Sequence, residues 1–489
     1  MRTAKKVNRD LILNGNMLQA ILTLAVPVVI NSFLQTMYNL TDTYWLGKIG
    51  TEQLAAINLV TPVQNIILNF GTGITVAGSV LIAQYIGAKE YENAKSMANQ
   101  IFACAGCFAI ACAAVVFAAT SGIVSWLGAD GETYTHACTY LRIVVWDMPF
   151  LYMVNIFSAV HQAQGDTVRP MFLNLGGILL NMILDPLLMI TWNMGTAGAA
   201  LATLLAKMVP ATVAFLLLSR RSNPVHLDIH NMRFDREKLK MILQIGLPTA
   251  IGGSTMQLGF LLMSRNVYAY GSQAMAAYGI GNKVNGLISL PSNGVGSAVA
   301  TIVGQNMGAK QLRRAEEGYL LSMKICVVFL FVGGMILSRD FISTSIVSIF
   351  SDDPQVIEWA ADFLSIMAFW CFTNGVYNAS TGLFQGTGHT EVTMAVDATR
   401  LWVFRFLTLW FCESVLHMGV RSVWYSVVVS NGISSVILFI LYKSNIWKKP
   451  RVKVGTDVDQ RDDKRQKAER SGTECGTEHS RLAGVKAGA

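Results

Sequence analysis

Charge is scarce in this chain. Asp, Glu, Lys and Arg make up 14% of its 489 residues, against about 25% in soluble domains. That deficit, beside 52% hydrophobic residues, excludes a water-soluble globule and marks an integral membrane protein. A disulfide framework is missing as well: of eight cysteines, Cys104, Cys107, Cys112, Cys326, Cys371 and Cys412 fall inside apolar runs. Cys104-x-x-Cys107 sits among Ala and Phe, which argues against a redox or metal pair. No phosphate-binding loop, metal-ligand motif or nucleophile–base pattern occurs, so neither enzyme chemistry nor an organic cofactor is expected. No cleavable signal is expected either, because the first apolar run is too long for one and reads as a retained span.

What is present is a series of apolar stretches, each long enough to cross a bilayer at about 20 residues. Twelve are expected, at 17–45, 54–82, 95–119, 138–162, 171–191, 197–219, 240–265, 275–304, 318–338, 358–383, 393–412 and 423–442. The expected fold is therefore all-α and membrane-spanning. Cations set the orientation. Arg2, Lys5, Lys6 and Arg9 precede the first span, while Arg220, Arg221, Arg233, Arg236, Lys238 and Lys240 crowd the central loop. The opposite side has mainly Lys48, Arg339 and Arg421, beside Asp130, Glu132, Asp352 and Asp353. The positive-inside rule then places both termini in the cytoplasm of a multi-pass plasma (inner) membrane protein. The net charge of +8 follows from this topology and needs no nucleic-acid partner. The expected partners are small molecules and the lipid bilayer, and the expected state is a monomer.

The chain repeats itself. Pro27 recurs as Pro248 (248 − 27 = 221), Gly50 as Gly271, Gly73 as Gly294, and Gln84-x-x-Gly87-Ala88-Lys89 as Gln305-x-x-Gly308-Ala309-Lys310. Gln164-Gly165 recurs as Gln385-Gly386 at the same shift. Six spans per half make the halves parallel repeats about an axis along the membrane normal, an arrangement typical of transporters. The expected organisation is an N-terminal segment 1–16, a first lobe 17–219, a linker 220–239, a second lobe 240–442 and a tail 443–489. That tail is charged, Gly-rich and short of aromatics, which predicts disorder. The Gly turns at 87–90, 308–311, 164–167 and 385–388 read as hairpins that pack the halves together.

Ionisable residues within a membrane cost about 2.5–3.5 kcal/mol each and are functional candidates. Asp42 lies near the outer end of span 1, and Asp185 lies in Asn181-Met-Ile-Leu-Asp185-Pro186 on span 5. Asn181 and Asp185, four apart, share one helix face, and Pro186 frees a carbonyl beside them. Asp185 and Thr203 are equidistant from the turn at Met194, which puts both roughly 13 Å below the helix ends. Two carboxylates, an amide and a hydroxyl suit a hard cation such as Na⁺, or a shared proton. Adding 221 to Asp42, Asn181, Asp185 and Thr203 gives Met263, Trp402, Phe406 and Trp424. The second half thus lacks the set, as expected of a site rather than a scaffold. Lys207 either pairs with a carboxylate or snorkels. Arg265, Asp397, Arg400 and Arg405 form structural ion pairs or face a cleft. Asn155, Gln257, Asn374 and Asn378 line a central cavity or bond helix to helix.

Taken together these residues resemble the multidrug and toxic compound extrusion (MATE) family of bacterial transporters, over about residues 10–445. The resemblance rests on Pro27 with Asn39-Leu-Thr-Asp42-Thr, Ala83-Gln-Tyr-Ile-Gly-Ala-Lys89, Gln164-Gly-Asp-Thr167, Asn181-x-x-x-Asp185-Pro186, Gly198-Ala-Ala-Leu-Ala-Thr203 and Gly304-Gln-Asn-Met-Gly-Ala-Lys310. It implies twelve helices in two six-helix lobes forming a V. It also implies export of organic cations and other xenobiotics against Na⁺ or H⁺. By the same resemblance Asp42, Asn181, Asp185 and Thr203 are the cation-coupling site. Gln35 and Tyr38 belong to the substrate cavity, and Pro27 is the point at which the first helix bends. The C-half helices offer Gln257, Asn374 and Asn378 in place of a mid-helix carboxylate, which favours the DinF-like branch.

The expected function is a cation-coupled efflux antiporter. The rival readings are an exporter or flippase of lipid-linked precursors or a specific metabolite, and a non-transporting membrane partner or channel. A lipid-linked pyrophosphate needs a cationic cavity, whereas the mid-membrane set here is acidic.

Overall fold

A computed structural model describes residues 9–221, 223–228, 234–449 and 451–452. Arg2, Lys5, Lys6, Arg233 and the tail from 453, with its expected disorder, lie outside the described residues. Every regular element among those described is helical. In the first half these are α1 (Met17–Ile49), α2 (Thr51–Gly87), α3 (Tyr91–Trp126), α4 (Gly131–Val144), α5 (Met148–Ala163), α6 (Val168–Pro186) and α7 (Gly195–Ser219). In the second half they are α8 (Arg236–Tyr268), α9 (Ser272–Gly308), α10 (Leu312–Leu337), α11 (Asp340–Val347), α12 (Pro354–Trp370), α13 (Phe372–Thr387), α14 (Thr390–Ala398), α15 (Phe406–Ser414) and α16 (Arg421–Lys443).

Among the described residues ten spans are long and apolar enough to cross a membrane, α4 and α5 counting as one, and the pair α12–α13, bent by 54°, makes an eleventh. The stretch 390–414, where α14 and α15 flank a π-helical segment Thr399–Arg405, is too charged to pass that test, because it carries Glu391, Asp397, Arg400, Arg405 and Glu413. It packs along α8 and α16 and is the twelfth crossing. The helices overrun the expected spans at most ends, α2 and α9 reaching 37 residues each. They project past the apolar layer, which needs only about 20.

Backbone conformation fixes how the halves correspond. Gly50 pairs with Gly271 and Lys89 with Lys310, all at positive φ and 221 apart (310 − 89 = 221). Gly165 pairs with Gly388 (388 − 165 = 223), and Asn193 and Gly195 pair with His417 and Gly419 (419 − 195 = 224). The constant shift expected from sequence is therefore corrected. Two residues enter where the six-residue turn 348–353 replaces 127–130, and one more enters within Thr399–Arg405, where a π-turn takes up the extra residue. The Gln164-Gly165/Gln385-Gly386 match is a coincidence of spelling, since Gly388 is the left-handed residue. Likewise the left-handed positions of the other turns are Lys89 and Lys310, while Gly87 and Gly308 are helical.

Those two glycines serve close approach instead. A Cβ on Gly87 would stand 2.0 Å from the Gln305 carbonyl oxygen, and one on Gly308 would stand 1.9 Å from that of Gln84. Alongside, the Gln84 amide donates to the Gly386 carbonyl at 2.9 Å and the Gln305 amide to the Ala163 carbonyl at 2.7 Å. Gln84 corresponds to Gln305, and Ala163 to Gly386, so one contact is made twice across the seam. The ends of α2, α5, α9 and α13 thereby seal the face that carries the N-terminus.

Candidate functional site

The first half gathers its acidic residues where α1, α6 and α7 meet. Asn181 and Asp185 lie one turn apart on α6 and are 1% and 0% exposed. Among the described residues, neither oxygen of Asp185 and neither polar atom of Asn181 has a well-formed hydrogen bond, although the two side chains face each other one turn apart. Four buried polar atoms without partners are costly in a helix core. Asp42 on α1 is half-buried and acts electrostatically on Asp185. Tyr38, one turn before Asp42, sits among Asp42, Tyr140 and Asp185 and faces Thr203, itself 8% exposed. The structure thus brings together the four proposed coupling residues.

Gln35, Tyr38, Asn181 and Thr203 line one cavity of about 80 Å³ with Lys207. α6 and α7 pack closely beside it, because a Cβ on Gly177 would stand 2.9 Å from the Ala206 carbonyl. Lys207 pairs with neither Asp42 nor Asp185: its Nζ lies 2.6 Å from Asp147 Oδ2, and Asp147 is 4% exposed. Sequence reasoning missed Asp147. The signal was there, an acid before Met148-Pro149 inside an apolar run, at the short 3₁₀ break that joins α4 to α5.

A second cavity, of about 400 Å³, lies directly over the seam. Asn155 and Asn378 face it, one of the two placements left open by the sequence, along with Gln162 and Gln385. The lining is symmetric: 155, 158, 159 and 162 map onto 378, 381, 382 and 385 (378 − 155 = 223). No charged side chain among the described residues contributes to it. Asn374 donates weakly to Ser289 at 3.4 Å and Gln257 is exposed, and neither lines a described cavity. Asn378 donates to Ser292 at 3.0 Å, so it both lines the cavity and ties helices together.

With the register corrected, the second-half counterparts of Asp42, Asn181, Asp185 and Thr203 are Met263, Arg405, Leu409 and Val427. Trp402, Phe406 and Trp424, the positions reached by a constant shift, are displaced by the three additional residues. Met263, Leu409 and Val427 pack into one hydrophobic cluster with Phe363 and Trp424. Arg405, 4% exposed, donates to Ser430 Oγ and to Asn431 Oδ1, both at 3.2 Å. Asp397 and Arg400 form an ion pair at 3.6 Å, and Tyr377 donates to Asp397. Arg265 is exposed. The scaffold is duplicated; the acidic set is not.

Pro27 lies inside α1 and leaves the carbonyl of residue 23 without its helical donor. The Thr167 hydroxyl supplies one, at 3.3 Å from Thr23 O. Thr390, the counterpart of Thr167 (390 − 167 = 223), donates to the Ile245 carbonyl near Pro248 at 2.7 Å.

The family model described as MatE matches this chain twice, over residues 27–187 and 248–411. The chain belongs to the MatE family. The two matches start 221 residues apart (248 − 27) and end 224 apart (411 − 187), the same drift that the backbone shows. Among relatives, the multidrug export protein MepA of Staphylococcus haemolyticus is 24% identical over 76% of this chain and 82% of its own length. The probable multidrug resistance protein YoeA of Bacillus subtilis is 23% identical over 87% of this chain and 93% of its own. Among solved structures, a MATE family multidrug resistance transporter of the MOP superfamily in an outward-facing conformation superposes with a TM-score of 0.84. It is 24% identical and covers 89% of this chain and 97% of its own. A MOP superfamily transporter from Pyrococcus furiosus, described as having a binding pocket of reversed polarity, gives 0.83 at 25% identity, over 90% and 98% of the two chains. These likenesses establish the MatE helical fold for this chain.

Proposed function

We propose that this protein is a multidrug efflux antiporter of the plasma membrane that exports organic cations in exchange for Na⁺ or H⁺. The observation that carries the reading is the group of four partnerless polar atoms on Asn181 and Asp185 beside Asp42 and Thr203. Two carboxylates, an amide and a hydroxyl offer oxygen donors of the kind that a hard monovalent cation takes. A single proton shared by the coupled acids satisfies the same set. The names of the MepA and YoeA relatives support the multidrug part.

In this reading Asp42 and Asp185 hold the coupling cation. Its binding removes the charge that favours a cationic substrate beside Gln35 and Tyr38, so ion and drug each weaken the other's binding. Release is coupled to bending of α1 at Pro27, which the Thr167 contact opposes. The sealed seam at the N-terminal face, taken as cytoplasmic from the distribution of cations, fits a state that discharges outward. Export of a lipid-linked pyrophosphate is disfavoured, because the central cavity presents only neutral polar groups to a doubly charged ligand.

The test is efflux of a fluorescent organic cation from proteoliposomes under imposed Na⁺ or pH gradients, comparing wild type with Asp185→Asn. Efflux driven by one gradient and lost in the variant is the expected result, and the effective gradient names the ion. Efflux that survives the substitution undiminished refutes the coupling site. Failure of the folded wild type to transport in either gradient refutes drug export.

A further inference from the structure

At the N-terminal face of the first half lies a cavity of about 980 Å³, framed by the start of α6 and the end of α7. Five cations line it, Arg9, Lys89, Arg169, Arg220 and Arg221, against one acid, Asp10. Two of the five are already engaged. Arg9 donates to the carbonyls of Ile86 and Gly87 at 3.1 and 3.0 Å, and Arg169 lies 3.3 Å from Asp166. Lys89, Arg220 and Arg221 are exposed and have no ion-pair partner among the described residues. Three positive charges therefore face the cavity without an ion-pair partner among the described residues.

Most of the rest of the wall is apolar, with His161, Gln164 and Asn223 interspersed. Phe157 is fully buried at its floor, while Leu217 and Phe172 carry the apolar surface outward. Phe172 is 62% exposed on a membrane-spanning helix, so the apolar wall continues onto the face that meets lipid tails. We propose that this cavity binds the headgroup of an anionic phospholipid, with its phosphate among Lys89, Arg220 and Arg221 and its acyl chains along Phe172 and Leu217. Basic pockets between helices at the membrane boundary recognise such headgroups, and paired arginines suit a phosphate.

Charge also argues against the flanking segments 1–8 and 229–233 as occupants. Residues 1–8 carry Arg2, Lys5 and Lys6, and residues 229–233 carry His230 and Arg233, so both bring further positive charge. A soluble anion would use the cations but not the apolar wall. The site is independent of the coupling residues, and its failure would leave the antiport reading untouched.

Native mass spectrometry of the full-length, delipidated protein tests this, by titration with phosphatidylglycerol and with phosphatidylcholine of the same acyl chains. One phosphatidylglycerol is expected to bind saturably and more tightly than phosphatidylcholine. The exposed pair Arg220→Gln/Arg221→Gln should weaken it roughly 25-fold, about fivefold for each cation removed, with thermal unfolding unchanged. Arg220→Lys/Arg221→Lys should keep most of the affinity. Equal retention of the two lipids, or a change under about threefold in the neutral double variant, overturns the proposal. Displacement of the lipid by inorganic phosphate alone also overturns it, because it would show a soluble-anion site.

Discussion

The seam between the halves invites a single-methyl experiment. In Gly87→Ala the added carbon meets the Gln305 carbonyl oxygen at 2.0 Å, where real contacts stay above 3.0 Å. The obstacle is backbone on both sides, so the helices must part by about 1 Å (3.0 − 2.0). The Gln84–Gly386 and Gln305–Ala163 bonds, at 2.9 and 2.7 Å, do not survive that displacement. Leaving a buried polar group unsatisfied costs about 1–3 kcal/mol, so two broken bonds disfavour the closed seam by about 2–6 kcal/mol. At 1.4 kcal/mol per tenfold, the shift is at least about 25-fold. Spin labels at Glu92 and Arg313, both exposed and equivalent by the repeat (313 − 92 = 221), should report a longer and broader distance by double electron–electron resonance. Gly308→Ala should do the same, because the contact is made twice. Gly106→Ala, with nothing within 4 Å of its added carbon, should leave the distance alone. A Gly87→Ala protein with wild-type distances and wild-type thermal stability refutes the role of the glycines in closure.

Two further substitutions probe the first half. Lys207→Met strands Asp147 in the core and should cost about 3–5 kcal/mol in thermal unfolding; the double variant with Asp147→Asn should recover most of it. A coupling energy under about 0.5 kcal/mol in that cycle would show that the 2.6 Å pair is incidental. Thr167→Val removes the donor to the Thr23 carbonyl and should speed hydrogen exchange across residues 20–30 of α1. Adding Pro27→Ala restores an N–H to that carbonyl and should restore protection; exchange that stays fast in the double variant would mean that the freed carbonyl is not what Thr167 restrains.

Twelve crossings were legible because bilayer thickness imposes a length that hydropathy reports directly. The exception in the structure, 390–414, is the crossing in which charge is tolerated: Asp397 and Arg400 pair with each other, and Arg405 is held by Ser430 and Asn431. The polar cluster of Asp42, Asn181 and Asp185 was legible for a related reason, since an acid or amide within an apolar helix stands out against its neighbours. The pairing of Lys207 was not, because a lysine's reach exceeds a helix turn and its partner lay across the bundle at a helix break.

The register of the repeat failed in a more instructive way. Identical letters at one shift are easily seen, but helices correspond through the faces that they bury, and three additional residues rotate those faces without erasing the spelling. Pro170, Ile178, Asn181 and Asp185 are the buried positions of α6, and Thr393, Leu401, Arg405 and Leu409 are their counterparts. The offset passes from 223 to 224 within the π-helical turn. Once that turn is counted, the comparison of halves gains force. A uniform shift set Asn181 and Asp185 against two aromatic residues. The true correspondence sets them against a buried arginine and a leucine, in the same fold and at the same depth. A scaffold that accepts an acid in one half and a guanidinium in the other does not itself require either. Under the proposed function, the partnerless Asn181 and Asp185 are explained by what they would bind and not by what they support.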